Sequence, residues 1–450
     1  MHTHTSCDSN FTQEKDMNSR GTLFVADGKL NIGNFEASAL ARKYGTPLYV
    51  MDGDHIENLC KKMIDAVATY GDGAVAYASK AFATKATTRL IDKVGMWFDA
   101  VSGGELHLLL TSGVNPKHII FHGNAKTERE IREGVSADVG YFVIDSISEI
   151  DRLDVEAGRQ GKKQEVLVRI NPLVSAHTYS AVQTAAPNSK FGFDIEKDAL
   201  DYVKDINSRK NLVFKGLHIH IGSQIYDHSS YDVAVDKMVD FIVKLGEVGV
   251  DCHTLDLGGG YGVYYTDEDP KFTPESTANI VKNILARLAG KVAEKGLGKP
   301  FVIVEPGRSI VGEAGITLYT VNAIKDFGVK KYVAIDGGMF ENPRHALYDS
   351  QYSAIVCDKA DEPMTEKVTL AGKCCESGDI IAEDVPLQKA EVGDVVAVFT
   401  TGAYNYSMAS NYNLNAVPPV VMVKGDKADL IVKGQTYEDI LRNNVVPEWI

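Results

Sequence analysis

One pattern constrains this chain more than any other. Between Ala74 and Ser309, short apolar runs alternate with helix-like segments eight times. The runs are AVAYASK (74–80), MWFDAVS (96–102), IIFHGN (119–124), YFVIDS (141–146), EVLVRINP (165–172), GLHIHIGS (216–223), HTLDLGGG (253–260) and FVIVEPGRS (301–309). Each begins apolar, as a strand buried on both faces must, and each ends in polar, charged or glycine residues. Among the intervening segments, GGELHLLLTSG, TEREIREG, SEIDRLDVEAG and YDVAVDKMVDFIVKLGEVG all stop at glycine, a favoured helix end. Eight such units predict an α/β chain built on a (β/α)8 TIM-type barrel, with its active site on the face where the strands end. A doubly wound sheet is the alternative, but function at nearly every strand end favours closure.

After about Gly312 the pattern changes. ITLYTVNAIK, KYVAIDGGM, KVTLAG, DVVAVFT and PPVVMVKG read as short strands between turns, a mostly β domain. With 450 residues, 44% of them hydrophobic, two domains are expected. The expected division is a disordered polar leader over 1–20, a segment over 21–50 that joins the β domain, a barrel over 51–311 and a C-terminal β domain over 312–450. The net charge of −14 and the lack of a basic run argue against nucleic acid and anionic membrane as partners. No apolar segment is long enough to span a bilayer. The leader lacks the apolar core of a signal peptide, so a cytoplasmic protein is expected.

Six scattered cysteines without a Cys-x-x-Cys fit reduced thiols better than a disulfide framework. Cys374 and Cys375 are adjacent in AGKCCESGD (371–379). Neighbouring cysteines chelate tetrahedral zinc poorly, because no loop separates the ligands, and no metal is expected.

The strand ends carry the chemistry. Lys80 ends the first run: a surface lysine, or a Schiff-base lysine activated by partial desolvation. Lys85, on the helix that follows, reads as solvated. Gly258, Gly259 and Gly260 let backbone amides approach a phosphate, although such turns are common. His220 is a satisfied core histidine or a ring that stacks on an aromatic cofactor, with the Ser223 hydroxyl on its phosphate. Glu305 pairs with an arginine or with a pyridinium nitrogen. The loops after the seventh and eighth strands often hold phosphate in barrels. Taken together, an amine, an anion cradle, a π-face partner and a carboxylate on one barrel face describe a pyridoxal 5′-phosphate (PLP) site.

The ordered motifs YASKA (77–81), FDAVSGGEL (98–106), FHGNAK (121–126), SKFGF (189–193), HIHIGSQ (218–224), DLGGGYG, EPGR (305–308), ENPRHALY (341–348), CESGD (375–379) and GAYNYSMASNYN (402–413) span most of the chain. On these motifs the chain resembles the fold-type III PLP-dependent decarboxylases, and among them those acting on meso-2,6-diaminopimelate. The resemblance implies a PLP-binding barrel, a C-terminal β domain and a homodimer with shared sites. It implies that Lys80 forms the Schiff base, His220 stacks on the ring, and Ser223, Gly258, Gly259, Gly260 and Tyr404 hold the phosphate. It also implies that Glu305 meets the ring nitrogen, and that Arg308, Arg344, Tyr348, Tyr404 and Glu376 contact substrate. Cys375 is implied as the proton donor, entering with Glu376 from the other subunit, while Cys374 fills space. Asn405, Tyr179 and NLNAVPP depart from the commonest family pattern, which puts fine substrate positioning in question and not the reaction.

Related racemases place an arginine at the ring nitrogen, so Glu305 argues for decarboxylation to L-lysine and CO2. Two cations with an anion suit a second amino-acid head group. Arg344 and Tyr348, four apart, would share a helical face. The alternatives are a relative acting on carboxynorspermidine or on D-ornithine or D-lysine, and a catalytically silent PLP-binding protein.

Overall fold

The computed structural model describes residues 20–174 and 189–450. The leader up to residue 19 and Tyr179 lie outside the described residues.

A small antiparallel sheet comes first: β1 (Leu23–Ala26), β2 (Lys29–Ile32) and β3 (Phe35–Glu36). β4 (Leu48–Asp52) follows. Eight parallel strands then close on themselves in chain order: β5 (Gly73–Ala78), β6 (Trp97–Ala100), β7 (Ile119–Phe121), β8 (Tyr141–Ile144), β9 (Gln164–Asn171), β11 (Leu212–His218), β12 (Thr254–Asp256) and β13 (Phe301–Val304), the last pairing with β5. The two-residue β10 (Phe193–Asp194) adds beside β9. Closure excludes the doubly wound alternative. All eight expected runs are strands, but most stop short of the polar residues that end each run, which project into the loops. β11 begins four residues before Gly216, where its run was expected to start. Its pairing with β9 slips between Phe214 and Gly216, a bulge that hides the strand's period.

The expected glycine stops hold only in part. Gly113 caps its helix in the left-handed conformation. The helix Glu128–Ala137 instead passes over Gly134 and ends at Asp138, and the helix Ile147–Arg159 passes over Gly158. These glycines serve packing: a Cβ at Gly134 would lie 2.8 Å from Phe121, and one at Gly158 2.6 Å from Asn211.

The barrel interior has two levels. Ala76, Ile120, Val143, Leu167 and Ile303, from five strands, form a separate buried cluster, with Trp97, Tyr141 and Phe301 packed against it. Side chains alternate faces along a strand, so positions two residues further on point inward as well. There the chain has Ala78, His122, Asp145, Arg169 and Glu305. The lower barrel is therefore apolar and its upper level charged.

The C-terminal sheet contains β14 (Gly315–Asp326), β15 (Lys331–Ile335), β16 (Ala354–Val356), β17 (Glu366–Ala371), β18 (Ile380–Leu387), β19 (Val395–Val398), β20 (Val420–Lys424) and β21 (Lys427–Val432). β4, from the segment before the barrel, lies between β14 and β20. β18 ends the sheet, an edge place that tolerates Pro386. No described helix is long and apolar enough to cross a membrane.

Candidate active site

The strand ends of the barrel open into a cavity of about 670 Å³ shared with the C-terminal sheet, and Lys80, His220, Ser223, Arg308, Arg344, Tyr348 and Tyr404 all line it. These seven residues from five separated stretches of chain are thus brought together. Lys80 stands two residues past β5, on a 3-10 turn over Ser79–Ala81. Burial alone would lower its ammonium, but Asp99, Tyr404 and Glu305 outweigh burial and raise it. Burial and the neighbouring charges thus act in opposite directions on this amine. Lys85 is exposed at the start of the next helix, as expected.

His220 follows β11. Its Nδ1 accepts from the Gly259 N–H at 3.3 Å, which leaves the ring proton on Nε2. Burial, then the Lys80 charge, holds it well below the usual histidine range, so the ring is neutral. Gly258 and Gly260 have φ of +66° and +108°. A Cβ at either would run into the backbone at Ile219 or Gly222, so only glycine builds this cradle. Tyr404 is also left-handed, at φ +60°, and its N–H bonds to Ala81 O at 2.9 Å, tying it to the Lys80 turn. Strained backbone of this kind persists where surrounding structure over-determines it.

Arg308 donates to Tyr265 Oη at 2.6 Å and to Ser223 Oγ at 3.1 Å, and its guanidinium lies 4.7 Å from the centre of the Tyr404 ring. Arg344 opens the short helix Arg344–Tyr348, which puts it and Tyr348 on one cavity wall. Arg344 donates to Tyr352 Oη at 2.8 Å, Tyr352 donates to Asn405 Oδ1 at 3.4 Å, and Asn405 Nδ2 donates to Thr401 O at 2.9 Å. Asn405 thus backs Arg344 through one tyrosine. Both guanidiniums are over 90% buried.

Glu305 sits one residue past β13. Its Oε1 is 2.6 Å from His122 Nε2 and its Oε2 is 3.3 Å from His218 Nε2. Asp256 completes a cluster whose ligand atoms all lie within 4.8 Å of one another. Two buried carboxyls this close do not both ionise. Burial, then the Glu305 charge, holds Asp256 well above the usual range. Burial would raise Glu305 as well, but His122 and His218 hold it well below, so Glu305 carries the charge. Glu305 Oε1 has no aligned hydrogen bond.

Sequence reasoning assigned no role to Asp99, His122, Arg169, His218 and Asp256. A signal was present: each is a charged or imidazole residue in or just after a buried strand, and His122 and Arg169 lie two positions beyond an apolar inward one. Cys375 and Glu376 are exposed and do not line the cavity of their own chain. The Cys375 N–H bonds to Asn413 Oδ1 at 2.8 Å. Cys374 is buried, its N–H on Asp379 Oδ2 at 2.6 Å.

Residues 54–312 match the family model described as pyridoxal-dependent decarboxylase, pyridoxal binding domain. The chain is 41% identical over 422 residues to diaminopimelate decarboxylase of Bacillus subtilis (strain 168), covering 92% of this chain and 95% of that protein. It is 38% identical over 432 residues to diaminopimelate decarboxylase of Methanocaldococcus jannaschii, covering 95% and 97%. A crystal structure of the M. jannaschii enzyme in complex with L-lysine superimposes with a TM-score of 0.89, over 95% of this chain and 99% of that one.

Proposed function

This chain belongs to the pyridoxal-dependent decarboxylases, and from that membership we propose that it converts meso-2,6-diaminopimelate to L-lysine and CO2, the last step of lysine biosynthesis. The observation that carries the substrate choice is the pair of buried guanidiniums, Arg308 and Arg344, in one cavity with Lys80. A substrate with a single carboxylate would lose it in the reaction and leave these cations without an anion, which buried charges do not tolerate cheaply. Diaminopimelate brings a second carboxylate that stays.

The residues fit PLP. The glycine cradle has no room for side chains, the buried Glu305 oxygen lacks an aligned partner, and a neutral imidazole faces the amine. When bound, PLP supplies an aldehyde that exchanges between amines and a protonated ring that withdraws the electrons released with CO2.

In this reading Lys80 would hold the cofactor through its amine. The Gly258–Gly260 amides, Ser223 and Tyr404 would bind the phosphate, and His220 would support the ring. Glu305 would hold a proton at the ring nitrogen. Arg308, Arg344, Tyr348 and Tyr404 would bind the distal head group, the two guanidiniums from buried positions. Cys375 then gives the reacting carbon a proton, and Glu376 accepts from the distal ammonium. Both come from the partner subunit of a cytoplasmic homodimer, which is consistent with their exposure on the single chain.

The test is CO2 release by the purified protein from meso-diaminopimelate, L-lysine, L-ornithine and their D-forms in parallel. Lysine formed from meso-diaminopimelate should dominate, and Lys80→Ala should abolish both turnover and the visible absorption of the protein. Faster turnover of ornithine or lysine would overturn the substrate assignment.

A further inference from the structure

The motif FHGNAK (121–126) carries a histidine that the chemistry above does not use. His122 is the first residue past β7 and is buried. Its Nε2 stands 2.6 Å from Glu305 Oε1, while His218 approaches the other oxygen at 3.3 Å. The two rings meet edge to face, 4.8 Å apart.

A histidine that merely fills space would not need this surrounding. A buried carboxylate costs several kcal/mol without compensation; Lys80 and Arg169 act on Glu305 through their charges, so the groups in contact with it decide where the carboxylate points. Burial pushes His218 down to about 3, so that ring is neutral and offers only a dipole. Asp256 is held protonated and brings no positive charge. The turn after His122 is braced by an ion pair that no step of the reaction uses. Lys126 Nζ reaches Gly123 O at 2.9 Å, Val143 O at 2.7 Å and Glu149 Oε1 at 2.6 Å, and the Lys126 and Glu149 side chains are each 1% exposed. Gly123 turns at φ +124°, where a Cβ would stand 3.3 Å from Val101 O. Such bracing fixes where the His122 ring goes.

We propose that His122 is a positioning residue which, through its contact with Glu305, aims that carboxylate at the ring nitrogen of the cofactor. The inference rests on the reading of Glu305 given above. His122 does not touch the reacting atoms; its contact sets where the group that does points.

The full-length wild type, Glu305→Gln, His122→Leu, His122→Gln and the double variant His122→Leu/Glu305→Gln are each titrated with PLP, and affinity and visible spectrum are recorded. Loss of a buried polar contact to a charged group corresponds to about a tenfold or larger rise in Kd for His122→Leu, with a spectrum displaced toward that of Glu305→Gln. His122→Gln keeps an N–H donor and should recover most of both. In the Glu305→Gln background the leucine should add little. A His122→Leu protein with the wild-type spectrum and affinity overturns the positioning role. A wild type that binds no PLP, or a Glu305→Gln protein identical to it, overturns the reading of Glu305 instead. If the leucine variant fails to fold by circular dichroism, His122→Asn, whose amide stops short of Glu305, must show the same spectral displacement; a wild-type spectrum there overturns the role.

Discussion

Cys374 and Cys375 are neighbours in sequence with opposite environments. Cys374 packs inward, and burial pushes its thiol up to about 11, which makes it a poor acid and a poor nucleophile. Cys375 faces out, pinned through its backbone by Asn413. If Cys375 is the acid, Cys375→Ala should lower kcat by about a hundredfold or more, whereas Cys374→Ala should act mainly on stability. Steady-state kinetics with thermal melts separates the two, and equal losses of kcat would exclude the assignment. Lys80, His220, Glu305 and the arginines could be singled out as candidates because each stands in a short motif at a strand end or loop. His122 was quoted within such a motif and went unassigned, because its partner Glu305 is 183 positions away and only barrel closure joins them.

At the scale of elements, glycine was the ambiguous letter. As a helix stop it was right at Gly113, and at Gly134 and Gly158 it served close packing instead. The two uses can be told apart by substitution. Gly134→Ala should gain about 1 kcal/mol of helix propensity. The new methyl collides with the rings of Phe142 and Phe121, and overpacking of this kind costs about 1–3 kcal/mol. Net destabilisation is expected in urea unfolding, and a stabilised variant would show that those rings yield. The edge strand β18 escaped notice for a related reason. Pro386 and its run of charges resemble a turn when read locally, and only its place at the margin of the sheet makes them acceptable in a strand.

At the scale of the whole molecule, the cavity is assembled from the barrel's strand ends and from the helix and loop beyond residue 312 that carry Arg344, Tyr348 and Tyr404. Cys375 and Glu376 stay outside it on the single chain. If the partner supplies them, mixing Lys80→Ala with Cys375→Ala subunits should restore part of the wild-type activity, since one of the two sites in each heterodimer is then intact. Verified heterodimers without rescue would place Cys375 within its own subunit's site or outside the reaction.

By itself the sequence determined the alternation of eight strands and helices, the β character of the C-terminal part, and the residues able to do amine, phosphate and carboxylate chemistry. Those follow from local periodicity and from side-chain type, which are properties of neighbours along the chain. Only the tertiary structure decided which charged groups share the barrel's upper level. It also decided that Glu305 rather than Asp256 bears the charge, that His122 meets it, and that Lys80 is raised rather than lowered. Each depends on burial and on distances between residues far apart in sequence, and electrostatic balance in a closed interior is set by that three-dimensional company.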